Sequence, residues 1–208
     1  MRFKPPPQHD SKIGWRVEFR TMDIQLTDFE NACLIIILGL VVNVINHFNV
    51  DFIIPISKAD DNMKRAHFRN ALLSEKFWFN KNCVQSERYW ESNLHKSDFT
   101  SSKNDYSDFV KPEYEEMYIY EILKGKEGSS FKGIFPLIKK FMEVKKYSEK
   151  NIENIEFMMH FICSRARGSV PTGAAFIREI INQTPTYKHD SKLSHCTMTI
   201  LVSQLMRL

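Results

Sequence analysis

The sequence predicts an α+β fold that is mostly α, with one or two short strands. Three observations predict it. Apolar residues recur at helical spacing through most of the chain, one run near Trp15 alternates with period two, and the composition is that of a globular protein. Of 208 residues, 43% are hydrophobic and 26% charged, which is enough to build a core. Twenty-nine Lys and Arg against 25 Asp and Glu give +4, too mild a balance for a nucleic-acid signature. Seven glycines in the whole chain argue against a Gly-rich dinucleotide loop.

Residues 1–14 read as extended and turn-rich, because Pro5-Pro6-Pro7 favours polyproline II and Gly14 ends the segment. The start has no apolar segment behind a basic head and does not read as a secretory signal. In Trp15-Arg16-Val17-Glu18-Phe19-Arg20, a strand would put Trp15, Val17 and Phe19 on one face and Arg16, Glu18 and Arg20 on the other. A lone strand cannot satisfy its own ladder, so this one is expected to pair with something the chain does not obviously contain.

Thr27-Asp28-Phe29-Glu30 matches a capping box, predicting a helix from about Asp28 to His47, apolar nearly all round and therefore buried. Its most hydrophobic stretch, Ala32 to Ile45, is shorter than the ~20 apolar residues of a membrane span. Asp51 to Ile56 is expected to be extended around Pro55. Ser57 or Asp60 is then expected to cap a polar helix through Asn62 to Leu73, and Phe77-Trp78-Phe79 reads as a strand or an aromatic plug. Residues 84–111, serine-rich and poor in aliphatics, read as a surface loop. Further helices are expected over Glu113–Leu123, around Ile134–Phe141, around Ile152–Ile162, after an N-cap at Thr172, and over Leu193–Leu208. The organisation is thus 1–83, strand plus buried helix; 84–111, variable loop; 112–208, helical.

Four cysteines, Cys33, Cys83, Cys163 and Cys196, show no CxxC spacing and read as reduced thiols of a cytoplasmic protein. The seven histidines form no metal-ligand pattern. Glu18 and Arg20 have two readings. On one strand face the carboxylate can ligate Mg²⁺ and the guanidinium can fork onto phosphate or carboxylate. Alternatively, Arg16–Glu18–Arg20 is a surface ladder. Lys124-Gly125-Lys126-Glu127-Gly128 is either a phosphate-approaching loop or a helix-ending glycine turn. Residues 124–167 carry a net +5, either a polyanion-binding face or a solvated helix surface.

Several blocks together resemble the eukaryotic glutamate–cysteine ligase catalytic subunit. They are Met1-Arg-Phe-Lys-Pro-Pro-Pro, Gly14-Trp-Arg-Val-Glu-Phe-Arg20, Gln25-Leu-Thr-Asp-Phe-Glu-Asn31, Asp51-Phe-Ile-Ile-Pro-Ile-Ser-Lys58 with Asn62-Met63, Gly125-Lys-Glu-Gly128, Arg165-Ala-Arg-Gly168, Phe176-Ile-Arg-Glu179 and Tyr187-Lys188. The resemblance covers the family's C-terminal third, so the chain is expected to be a piece of a longer enzyme or a truncated gene model starting at an internal Met. It implies the C-terminal part of a glutamine-synthetase-like ligase fold. The implied activity is ATP-dependent ligation of L-glutamate to L-cysteine through a γ-glutamyl phosphate, the first step of glutathione synthesis. In family terms Glu18 is a metal ligand for Mg²⁺ and Arg20 is the catalytic arginine at the transferred phosphoryl. The resemblance implies ATP as the co-substrate and a separate modifier subunit as a partner; neither nucleic acid nor membrane is expected. The competing expectation is a non-catalytic truncated helical module that binds the full-length enzyme or its modifier subunit.

Overall fold

In the computed structural model, residues 2–9, 11–18, 22–84 and 112–207 are described. The 84–111 loop reading, apart from Val84, lies outside the described residues, as does Arg20.

Strand β1 (Arg2–Lys4) and strand β2 (Arg16–Glu18) form an antiparallel ribbon, with Phe3 opposite Val17 and Lys4 opposite Arg16. This corrects the expectation that the Trp15–Arg20 strand lacks a partner within the chain. The partner is the segment just before the prolines. It is too short to show an alternation, and Gly14, at φ +69°, helps the chain return. On the ribbon, Trp15 is 72% exposed and Phe3 is also exposed.

Helix α1 (Asp28–Phe48) begins as expected. The Thr27 hydroxyl accepts from the Glu30 amide and the Glu30 carboxylate accepts from the Thr27 amide. Asn49, left-handed at φ 51°, closes it. Its burial differs from expectation. Cys33, Ile37, Leu40, Val44 and Phe48 form one buried stripe, while Ile35, Ile36, Leu38 and Val42 are exposed. At 21 residues, α1 is also long and apolar enough to cross a membrane by length and composition alone, although its buried stripe is that of a core helix.

Helix α2 (Ile56–Ala66) starts at Pro55 without a side-chain cap and stops seven residues earlier than the Leu73 limit read from the sequence. Asn70 adopts φ 59° and restarts the chain as the single turn α3 (Ala71–Ser74). Strand β3 (Phe77–Asn80) pairs antiparallel with β4 (Tyr114–Met117), Phe77 opposite Met117. The expected helix over Glu113–Leu123 is therefore strand first and helix only from α4 (Ile119–Lys124). Cross-strand pairing outweighs helical period in so short a segment. Among the described residues the two ribbons make four strands, where one or two were expected.

Helices α5 (Ile134–Val144), α6 (Glu149–Ala166), α7 (Gly173–Gln183) and α8 (His195–Leu205) follow, with Ser148, Thr172 and Ser194 as hydroxyl N-caps of the last three. The core lies where α1 packs on α5 and α6, with α4 against both. Phe131, Leu137, Ile138, Met142 and Met117 fill it.

Candidate functional site

Glu18 sits at the end of β2, with its side chain a quarter exposed. Antiparallel register puts Lys4 diagonally across on the same face, and the Lys4 ammonium lies 2.5 Å from the Glu18 carboxylate. Arg16 turns the other way along the ribbon and donates to the Pro5 carbonyl at 3.2 Å. Of the predicted Arg16–Glu18–Arg20 face, the structure thus brings Glu18 to a lysine from β1.

Glu18 can offer one carboxylate oxygen donor to a hard cation. Among the described residues no group of three or more His, Cys, Asp or Glu converges, so Glu18 is not part of a metal-ligand cluster of that size there. Mg²⁺ normally keeps waters and takes one or two carboxylates plus substrate phosphates. The described residues therefore fit a shared metal–phosphate contact and do not form a metal centre of their own.

The other family-like blocks meet each other. Arg165, in the last turn of α6, donates to Gln25 at 2.8 Å and to the Glu30 carboxylate at 2.7 Å. The second Glu30 oxygen accepts from the Leu26 and Thr27 amides, and Asn31 bonds both ways with the Gln25 backbone. The Gln25–Asn31 block and the Arg165–Gly168 block are thus one constellation closed across 135 residues of sequence. The pair is nearly buried, at 12% and 13% side-chain exposure. Sequence reasoning treated Glu30 only as a cap and Arg165 only as one of many cations. Their shared membership in family-like blocks was the signal that could have joined them.

The Asp51–Met63 block is a clamp on β3. Asn62 accepts from the Trp78 amide at 2.7 Å and donates to the Trp78 carbonyl at 2.9 Å. Asp61 accepts from the Trp78 indole at 3.0 Å, which, with Arg65 beside it, holds its carboxyl below the ordinary range. Lys58 lies 3.1 Å above the Trp78 ring.

The Lys124–Gly128 segment is a glycine turn. A Cβ on Gly125 would meet the Lys132 carbonyl oxygen at 2.4 Å, and one on Gly133 would meet the Lys124 backbone at 2.4 Å. Lys126 is hydrogen-bonded to Glu115, lowering the Glu115 pKa and raising its own. Elsewhere in the basic stretch, Lys139 pairs with Glu156 at 2.5 Å and Arg167 stacks on Tyr120. Cys33, Cys83 and Cys163 are free and buried, and burial pushes the Cys83 thiol up to about 12. Cys196 is free and exposed.

The described residues thus carry a ribbon whose Glu18 is paired with Lys4, and helices tied together by side-chain clamps at Glu30 and Trp78. Comparison with known proteins adds the family. The model of the glutamate-cysteine ligase family matches residues 1–208. Among curated relatives, the glutamate–cysteine ligase of Neurospora crassa is 38% identical over 93% of this chain. The glutamate–cysteine ligase catalytic subunit of Rattus norvegicus is also 38% identical over 93%, and the Saccharomyces cerevisiae ligase is 35% identical over 100%. The chain belongs to the glutamate–cysteine ligase family. It spans only about 30% of the length of these relatives.

Proposed function

We propose that this chain supplies the C-terminal third of a cytoplasmic ligase with a glutamine-synthetase-like fold. The enzyme joins the γ-carboxylate of L-glutamate to the amine of L-cysteine, giving γ-glutamylcysteine for glutathione synthesis. The observation that carries this reading is the family match along the whole chain. In the reaction the glutamate γ-carboxylate takes the terminal phosphoryl of ATP and ADP leaves. The cysteine amine then attacks the acyl carbon and phosphate departs. Mg²⁺, when bound, offsets charge on the phosphates. Glu18 would contribute one carboxylate to that ion, its contact with Lys4 exchanging for it. Arg20 would fork onto the transferring phosphoryl, acting by position and charge. The helical remainder supports the ribbon, and a modifier subunit is a partner in this reading.

The test uses the complete reading frame containing these residues. Assayed with glutamate, cysteine and ATP, the long product should form γ-glutamylcysteine and the 208-residue chain alone should not. In the long product, Glu18→Gln should raise the Mg²⁺ requirement without lowering the melting temperature. Arg20→Lys should lower kcat/KM on the order of 10²-fold, about 2.7 kcal/mol, because a point charge does not replace a planar fork. Arg16→Lys should do less. Unchanged Mg²⁺ dependence in Glu18→Gln would remove its metal role, and full activity of the short chain would overturn the assignment of the remaining machinery to sequence outside it.

A further inference from the structure

A cavity of about 590 Å³ opens between the α2–α3 connection and the start of α7. Arg69, Arg165 and Arg178 are among its lining residues, and no Asp or Glu is. Arg165 has both terminal nitrogens engaged, by Gln25 at 2.8 Å and Glu30 at 2.7 Å, and its Nε is buried without a hydrogen-bond partner. Arg69 and Arg178 are exposed, and neither forms an ion pair among the described residues. Two cations without an ion pair, Arg69 and Arg178, therefore share a concave wall with the paired Arg165.

The wall is built rather than incidental. Gly168, at φ +82°, brings the end of α6 so close to α3 that a Cβ there would lie 3.0 Å from a Leu73 methyl. The first turn of α7, capped by Thr172, closes another side and adds the positive end of a helix. The volume falls in the range of sites for small organic molecules, well above that of a single inorganic ion. Guanidinium forks match carboxylate and phosphate oxygens.

We propose that this cavity binds a small organic anion carrying two or more phosphate or carboxylate groups, held by Arg69 and Arg178. The proposal stands independently of the ligase reading, because its test reads binding and not turnover. Titration calorimetry on the long product of the complete reading frame would use pyrophosphate in one series and citrate in another. One-to-one, salt-sensitive binding of either probe supports the site, and the stronger probe identifies phosphate or carboxylate as the natural chemistry. Arg69→Gln and Arg178→Gln, made singly at exposed positions, should each weaken binding about tenfold, whereas the exposed helix-surface variant Lys150→Gln should not. As a measurement on unaltered protein, the bound probe should protect arginines from phenylglyoxal, with Arg69 and Arg178 identified by peptide mapping. Absence of binding by both probes, or equal affinity in the arginine variants, overturns the proposal.

Discussion

Arg165 and Glu30 illustrate how a residue's surroundings set its weight. An exposed ion pair contributes little, but this one is nearly buried and both Glu30 oxygens are engaged. Removing one partner leaves the other charge buried and uncompensated. Glu30→Ala should therefore cost about 3 kcal/mol, with roughly 1 kcal/mol of that from the lost cap, read as a fall in melting temperature. Thr27→Ala, which loses only the cap, should cost about 1 kcal/mol. Equal losses in the two variants would mean that the Arg165 contact adds nothing. Glu115 gives a pH prediction. The hydrogen bond from Lys126, aided by charge from Lys81, lowers its folded pKa. The unfolded carboxylate then takes up protons first as pH falls, so the stabilisation is full above the ordinary value of about 4.3 and is lost below it, through the depressed folded pKa. Melting curves of wild type and Glu115→Gln should converge on acidification through that window; a constant gap would contradict the pairing.

At the scale of elements, two glycines predict opposite outcomes. Gly39 lies inside α1 with open space where a Cβ would go. Gly39→Ala should stabilise by about 0.5–1 kcal/mol, since glycine is a poor helix former and loses more freedom on folding. Gly133 sits at φ +102° against the Lys124 backbone, so Gly133→Ala should be strongly destabilising, and backbone atoms cannot swing aside. Denaturant midpoints of the two variants should move in opposite directions; a shared sign would show the α4–α5 turn to be adaptable. The Glu113–Leu123 segment carries a related lesson. Its residues suit a helix about as well as a strand, and register with Phe77–Asn80 decides for strand up to Met117.

For the molecule as a whole, the apolar surface is the main peculiarity. Ile35 is 63% exposed and Val42 50%, and Trp15, Phe3 and Ile24 add to the exposed apolar area. Exposed apolar surface of this kind drives association. The isolated chain should bind a hydrophobic dye strongly and associate in a concentration-dependent way. Ile35→Lys with Val42→Lys should reduce both while leaving the melting transition in place, because the buried stripe of α1 is untouched. A monodisperse, dye-silent wild type would show that this face is covered within the chain itself.

Local chemistry alone determined much of this. The capping box at Thr27–Glu30, the hydroxyl cap at Thr172, the helical periods of α5 to α7 and the glycine turn after Lys124 follow from interactions spanning a few residues, so they are legible in order along the chain. Glu18 was legible as a strand-face carboxylate for the same reason. Tertiary structure decided the rest: that β1 is the partner of β2, that Lys4 is the cation at Glu18, that α1 buries one stripe of its apolar surface, and that Arg165 closes on Glu30 beside a cavity shared with Arg69 and Arg178. Each of these depends on pairing or packing between segments far apart in sequence, and neither three-residue strands nor single arginines carry a periodic signal that names their partner.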